Sequence, residues 1–160
     1  MKIAVDFDGT IVEHRYPEIG KEFPFAIDVL KRLVQEHHQV ILWTAREGHL
    51  LEEAVEFCRS RGLEFYAVNS EFPQANWASY RPTRKPRADI YIDDRALGGL
   101  PGWDIIYEMI SENLTYSEVI KAVADESGID FDEGKGKLIR KLVSRCLRGI
   151  SRKEKRANRW

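Results

Sequence analysis

The stretch "KIAVDFDGT" (residues 2–10) decides how the chain is read. An apolar run stops at two aspartates, Asp6 and Asp8, which one phenylalanine separates and which Gly9 and Thr10 follow at once. Apolar residues that end abruptly at acidic and turn-forming ones describe a buried strand and its polar end. Like charges this close repel unless a cation or a proton stands between them. The end of this strand therefore needs something from elsewhere in the chain.

The same grammar recurs three times. "HQVILWT" (38–44), "LEFYAV" (63–68) and "ADIYIDD" (88–94) are short, apolar or aromatic, and bounded by polar segments. Between the first three strands, "FPFAIDVLKRLVQEH" and "REGHLLEEAVEFCRSRG" place apolar residues at three- and four-residue spacing, the second ending at Gly62, a natural helix stop. Alternating apolar strands and amphipathic helices predict an α/β fold: a doubly wound, Rossmann-like, mostly parallel sheet with helices on both faces. Such sheets bind ligands beyond the carboxyl ends of their strands. The residues at those ends are Asp6 and Asp8, Thr44, and Asp93 with Asp94.

Length and composition bound the rest. The 160 residues suit one main domain, and 43% hydrophobic with 32% charged residues is ordinary for a globular protein. Two cysteines, Cys58 and Cys146, stand in no disulfide or zinc spacing. No apolar stretch reaches the ~20 residues of a membrane span, and Asp6 and Asp8 interrupt any signal-peptide core. A cytoplasmic protein is expected. Eleven of the 25 Lys and Arg fall in residues 134–160 against one of the 26 acids, Glu154. With the glycines of "DEGKGK", this asymmetry predicts an α/β domain over 1–133 and a basic, amphipathic helical tail over 134–160.

In that tail, Leu138, Ile139, Leu142, Val143, Cys146, Leu147 and Ile150 recur at helical spacing. Docking on its own domain or on a second subunit, a nucleic-acid contact and an anionic-membrane contact are all open. Docking is favoured because the body is acidic and the stripe needs burial; a homo-oligomer would follow if a second subunit supplies that cover. "SRKEKRANRW" beyond it reads as a frayed or partner-binding end.

A doubly wound sheet would deliver four carboxylates, Asp6, Asp8, Asp93 and Asp94, to one rim. Hard oxygen ligands, with no cysteine or histidine at a strand end, suit Mg²⁺ rather than zinc or copper, and Mg²⁺ is commonly shared with phosphate oxygens. Gly9 and Thr10 would turn the backbone and aim N–H groups at an anion. Thr44 and the amide of Ala45 would open a helix whose N-terminus favours negative charge. "RKPR" adds Arg84, Lys85 and Arg87 ahead of the last acidic strand.

"VDFDGT", the "ILWT" strand ending in threonine, the lysine of "RKPR" and "YIDD" stand in the order and contexts of the four motifs of the haloacid dehalogenase (HAD) superfamily. Over residues 1 to 95 the chain resembles a small, minimally capped phosphohydrolase of that superfamily. "IDDRALGG" with "KPRADIY" is similar to a group of small bacterial members described as capsule-associated hydrolases. The resemblance implies that Asp6 is the nucleophile that accepts the phosphoryl group as an aspartyl-phosphate. Asp8 would protonate the leaving oxygen and then activate water. Asp6, the backbone carbonyl of Asp8, and Asp93 would hold Mg²⁺, with Asp94 positioning a ligand or water. Thr44 would bond the phosphate, with Gly9, Thr10 and Ala45 beside it, and Lys85 would balance charge, Arg84 and Arg87 staying open as sharers of that role. The short stretches 11–22 and 70–83 leave no room for a large cap domain, so the site should admit a bulky phosphorylated substrate.

Plainer readings stand beside these. Asp6 and Asp8 could be a solvated turn, Thr44 an ordinary N-cap, and Asp93 and Asp94 caps of the turn into "RALGG". Arg46 is a candidate substrate contact or a surface charge. Trp77 and Tyr80 could stack on a ring of a substrate, though loop packing is favoured. His14, His37, His38 and His49 show no ligand spacing. A phosphate- or nucleotide-binding module of the same fold with negligible turnover is the alternative function. A response-regulator receiver is disfavoured, because "LEFYAV" ends in Asn69 where that fold needs its phosphoacceptor aspartate.

Overall fold

Four strands run parallel in the computed structural model, which describes residues 1–73, 85–97, 99–115 and 118. They are β1 (Lys2–Val5), β2 (Gln39–Leu42), β3 (Ala67–Val68) and β4 (Ile90–Ile92), in the order β3-β2-β1-β4. Helix α1 (Ala26–Gln35) joins β1 to β2, and α2 (Gly48–Arg59) joins β2 to β3. The α/β, parallel expectation holds. The chain steps outward from β1 to β3 and then returns to the far side of β1 for β4. The winding direction therefore reverses between β1 and β4, where open α/β sheets form their binding crevice.

The register fixes what faces what. Ala4 pairs with Ile41 on one side and Tyr91 on the other, and Val5 with Leu42 and Ile92. Paired residues of parallel strands project to the same face and successive ones to opposite faces. Ile3, Val5 and then Phe7 share one face, all fully buried, and Phe7 meets Phe57 of α2 edge-on at 5.8 Å. Ala4 and Asp6 take the other face. The apolar stripe of α1, including Leu30 and Leu33, is also fully buried, each leucine contributing about 1.5–3 kcal/mol through loss of hydrated surface.

Strand β3 is shorter than "LEFYAV" suggested. The Leu63 N–H closes α2 on Cys58 O at 3.0 Å, and Gly62 N–H bonds Arg59 O at 2.8 Å, so the segment is still finishing the helix there. The chain joins β2 only from Tyr66, whose N–H reaches Val40 O at 2.8 Å. Helix α1 ends by the same pair of bonds, with His37 at φ 64° where glycine is usual.

The chain divides into two compact units, Met1–Leu100 and Pro101–Trp160. In the second, α3 (Trp103–Ser111), an element the sequence reading left out, buries Trp103, Ile105, Ile106, Met109 and Ile110. The expected boundary at 133/134 and the basic tail lie outside the described residues. No helix among the described residues is long and apolar enough to cross a membrane.

Gly62 sits at φ +78°, and a Cβ there would make only ordinary contact with the end of the Lys31 side chain, at 3.4 Å. Gly62→Ala should therefore lower the unfolding free energy by the backbone term alone, about 1–2 kcal/mol, as read by urea denaturation.

Candidate active site

The β1–β4 ladder runs one step beyond the strands: Asp6 N–H donates to Ile92 O at 3.0 Å. That step sets Asp6 beside Asp93, and one carboxylate oxygen from each of Asp6, Asp93 and Asp94 lies within 4.8 Å of the others. Burial pushes the Asp6 carboxyl up to about 6; a hydrogen bond from the Phe7 backbone opposes this, and Asp93, Asp94 and Asp8 add to it. Asp94 is held by its own N–H donating to Thr10 Oγ1 at 3.0 Å, and a Cβ on Gly9, at φ +90°, would overlap its carboxylate. Asp94 Oδ1 is buried with no hydrogen-bond partner. Asp93 Oδ1 accepts the Arg95 N–H at 2.8 Å, so the turn-capping reading holds for Asp93 alongside its place in the cluster. An all-carboxylate set with one orphaned oxygen fits a hard divalent cation.

Asp8 turns away from this cluster. Arg46 Nε donates to Asp8 Oδ2 at 2.7 Å and Nη2 to Oδ1 at 2.8 Å, a two-pronged pair that raises the Arg46 pKa above its ordinary value. Nη1 donates to Pro17 O and Nη2 to Glu18 O, both at 2.8 Å, and the guanidinium lies 5.2 Å from the Phe7 ring and 5.4 Å from the Tyr16 ring. Arg46 is fully buried. It is therefore neither a surface charge nor, in this conformation, a direct substrate contact, because its charge is neutralised inside the protein. The signal in the sequence was an arginine two residues after the strand-end threonine, but nothing local shows that its partner lies 38 positions back.

Two further expectations are corrected. Gly9 N–H donates to Val12 O at 2.7 Å and Thr10 N–H to Phe7 O at 3.3 Å, so these amides close their own turn instead of aiming at an anion. The Gly9 turn itself is present. Thr44 and Ala45 do not open a helix: α2 starts at Gly48, with Glu47 as its extended N-cap. Thr44 Oγ1 instead accepts the Arg46 N–H at 3.2 Å, and Thr44 N–H donates to Asn69 Oδ1 at 2.8 Å. Asn69, which sequence reasoning used only to disfavour a receiver, pins the loop after β2 from the end of β3.

Lys85 is exposed, with its ammonium 3.7 Å from the Tyr91 ring centroid and 5.8 Å from that of Trp43. Tyr91 pairs with Ala4, and Trp43 N–H continues the ladder to Val5 O at 2.8 Å, so both rings belong to the Asp6 face, flanking the small Ala4. The Tyr91 hydroxyl donates to Pro86 O at 2.6 Å and accepts the Ala88 N–H at 3.2 Å, tying down the segment that carries Lys85. Among the described residues no ion pair joins Lys85 to the carboxylates. Arg87 is exposed, while Arg84, Trp77 and Tyr80 lie outside the described residues. His14, His37 and His49 are exposed and His38 half-buried, and none joins the carboxylate cluster. Cys58 is buried, its thiol pushed up to about 12 by desolvation, and therefore unreactive.

An all-parallel α/β sheet with carboxylates gathered where its winding reverses defines the structural class. The chain is 59% identical, with a TM-score of 0.67, to a structurally characterised conserved protein encoded by a locus of Bacteroides thetaiotaomicron; the match covers 74% of this chain and 96% of that one. The chain belongs to the same family as that conserved protein. It matches no family model, and no curated protein matches it.

The two aspartates of "DFD" should respond oppositely to neutralisation. Asp8→Ala strands the buried Arg46 charge and should cost about 3–5 kcal/mol in urea denaturation. Asp6 has a raised folded pKa, so between about pH 4 and 6 its folded carboxyl holds a proton that the unfolded one has released. Rising pH should accordingly lower the stability of metal-free protein until about pH 6 is passed. Asp6→Asn should remove that component of the fall, seen as a flatter melting temperature across the range.

Proposed function

We propose that this chain is a Mg²⁺-dependent phosphomonoester hydrolase of the haloacid dehalogenase type, working through an aspartyl-phosphate on Asp6. The observation that carries the reading is the cluster of Asp6, Asp93 and Asp94 at the reversal point of the sheet, with a buried oxygen of Asp94 left without a partner. Asp6, Asp93, Asp94 and the backbone carbonyl of Asp8 would hold the ion. Bound there, Mg²⁺ supplies the positive charge that lets these carboxylates share space with a phosphoryl group.

The residues of the chain divide the remaining work. An Asp6 carboxylate oxygen attacks phosphorus, and Asp8 gives its proton to the leaving oxygen and later takes one from the attacking water. Thr44, two residues beyond the end of β2, would contact the phosphate through its hydroxyl. Lys85, on the Asp6 face over Tyr91 and Trp43, is the cation nearest in role to the phosphoryl charge. The few residues available in stretches 11–22 and 70–83 suit a phosphorylated substrate of some bulk.

Hydrolysis of p-nitrophenyl phosphate should require Mg²⁺, stop on chelation with EDTA and return when Mg²⁺ is restored. Asp6→Asn should lower it by at least about 10³-fold, since the covalent route is closed. Phosphate or nucleotide binding with no metal-dependent turnover in the unsubstituted protein would instead select the binding-module alternative.

A further inference from the structure

We propose that Tyr91 and Trp43 are positioning residues whose rings hold the ammonium of Lys85 on the Asp6 face of the sheet, so that it meets an arriving phosphate as a cation that no carboxylate has neutralised. The inference rests on the phosphate-handling part of the reading above and deepens it. The ammonium stands 3.7 Å from the centroid of the Tyr91 ring and 5.8 Å from that of Trp43. The two rings meet edge-on, 5.9 Å apart and inclined at 67°, and both residues are half-buried while Lys85 is exposed. A cation over an aromatic face is attracted by the quadrupole of the ring. Unlike a carboxylate, a ring leaves the net charge in place.

Tyr91 fixes the lysine at both ends of its side chain. Its ring lies against the ammonium, while its hydroxyl donates to the carbonyl of Pro86, the next residue along, at 2.6 Å and accepts the Ala88 N–H at 3.2 Å. Pro86 is buried and, as a proline, biases the backbone of Lys85 towards extended conformations. The side chain thus leaves a held backbone and ends on a held ring. The strand register sets where this happens. Tyr91 pairs with Ala4, two residues before Asp6, and itself stands two residues before Asp93, so it shares their face. Trp43 reaches the same face because its N–H continues the ladder to Val5 O at 2.8 Å. A lysine that swings freely loses rotamer freedom on meeting phosphate, whereas one already held loses less. An ion pair to Asp6 or Asp93 would also hold it, but would spend its charge on the carboxylate; among the described residues no ion pair joins Lys85 to either.

The test uses inorganic phosphate with Mg²⁺, its binding read by isothermal titration calorimetry, alongside hydrolysis of p-nitrophenyl phosphate. Lys85→Met should weaken phosphate binding. Tyr91→Phe keeps a ring face against the ammonium, and a trifluorinated phenylalanine at the same position keeps that shape while removing most of the quadrupole. Fluorination should weaken phosphate binding by roughly 2- to 5-fold relative to Tyr91→Phe, and should change nothing when Lys85→Met is also present. A ring needed only for packing would give no difference between the two matched rings, or the same difference with and without Lys85. Either result overturns the proposal, as does phosphate binding that Lys85→Met leaves unchanged. If the Tyr91 variants do not fold, Trp43→Leu made with and without Lys85→Met supplies the comparison: a loss confined to the protein that keeps Lys85 supports the proposal, and a loss that persists without it overturns it. Turnover separates this inference from the hydrolase reading. A lysine-dependent ring effect on phosphate binding, with no Mg²⁺-dependent hydrolysis by the unsubstituted protein, would overturn that reading and leave the role of the rings standing. Failure of the unsubstituted protein to bind phosphate would overturn this inference whatever the turnover.

Discussion

The hydrogen bond from Asp6 N–H to Ile92 O carries the β1–β4 pairing one residue past the strands, and the candidate site depends on that extra step. It brings the carboxylate of Asp6 beside those of Asp93 and Asp94, all three residues half-buried. Burial and the neighbouring acids raise the pKa of Asp6, and one buried oxygen of Asp94 is left without a partner. Neighbouring residues serve to keep the carboxylates there. Gly9 leaves room that a side chain would fill, and the Thr10 hydroxyl holds the backbone of Asp94.

The two aspartates of "DFD" are given opposite environments. Asp6 sits among acids on the face shared with Trp43 and Tyr91; Asp8, just before the Gly9 turn, meets the buried guanidinium of Arg46, which lies near the rings of Phe7 and Tyr16. Separating two carboxyl groups in this way lets one strand end supply groups of different chemical character. Neither environment is local: one depends on a strand some 85 residues later, the other on a loop 38 residues later.

Two further side chains hold the loops at the strand ends. Asn69 holds the amide of Thr44 from the neighbouring strand, and the Tyr91 hydroxyl holds the segment that presents Lys85. Both use a side chain to satisfy backbone groups of an irregular loop, which otherwise would have to be left to solvent.

The sequence by itself determined the strands and helices of the first unit, because apolar periodicity and the glycine at the end of α2 are local properties, and it determined which acids stand at strand ends. It left the length of β3 open, since only the hydrogen-bond geometry shows where the helix stops and the ladder begins. It also missed α3, whose apolar residues in "WDIIYEMIS" were passed over. Only the tertiary structure decided that Gly9 and Thr10 use their amides on their own turn, and that Arg46 is buried against Asp8. A charge pattern along the chain does not say which charges will lose their water; that is settled by where the strands and loops bring them together.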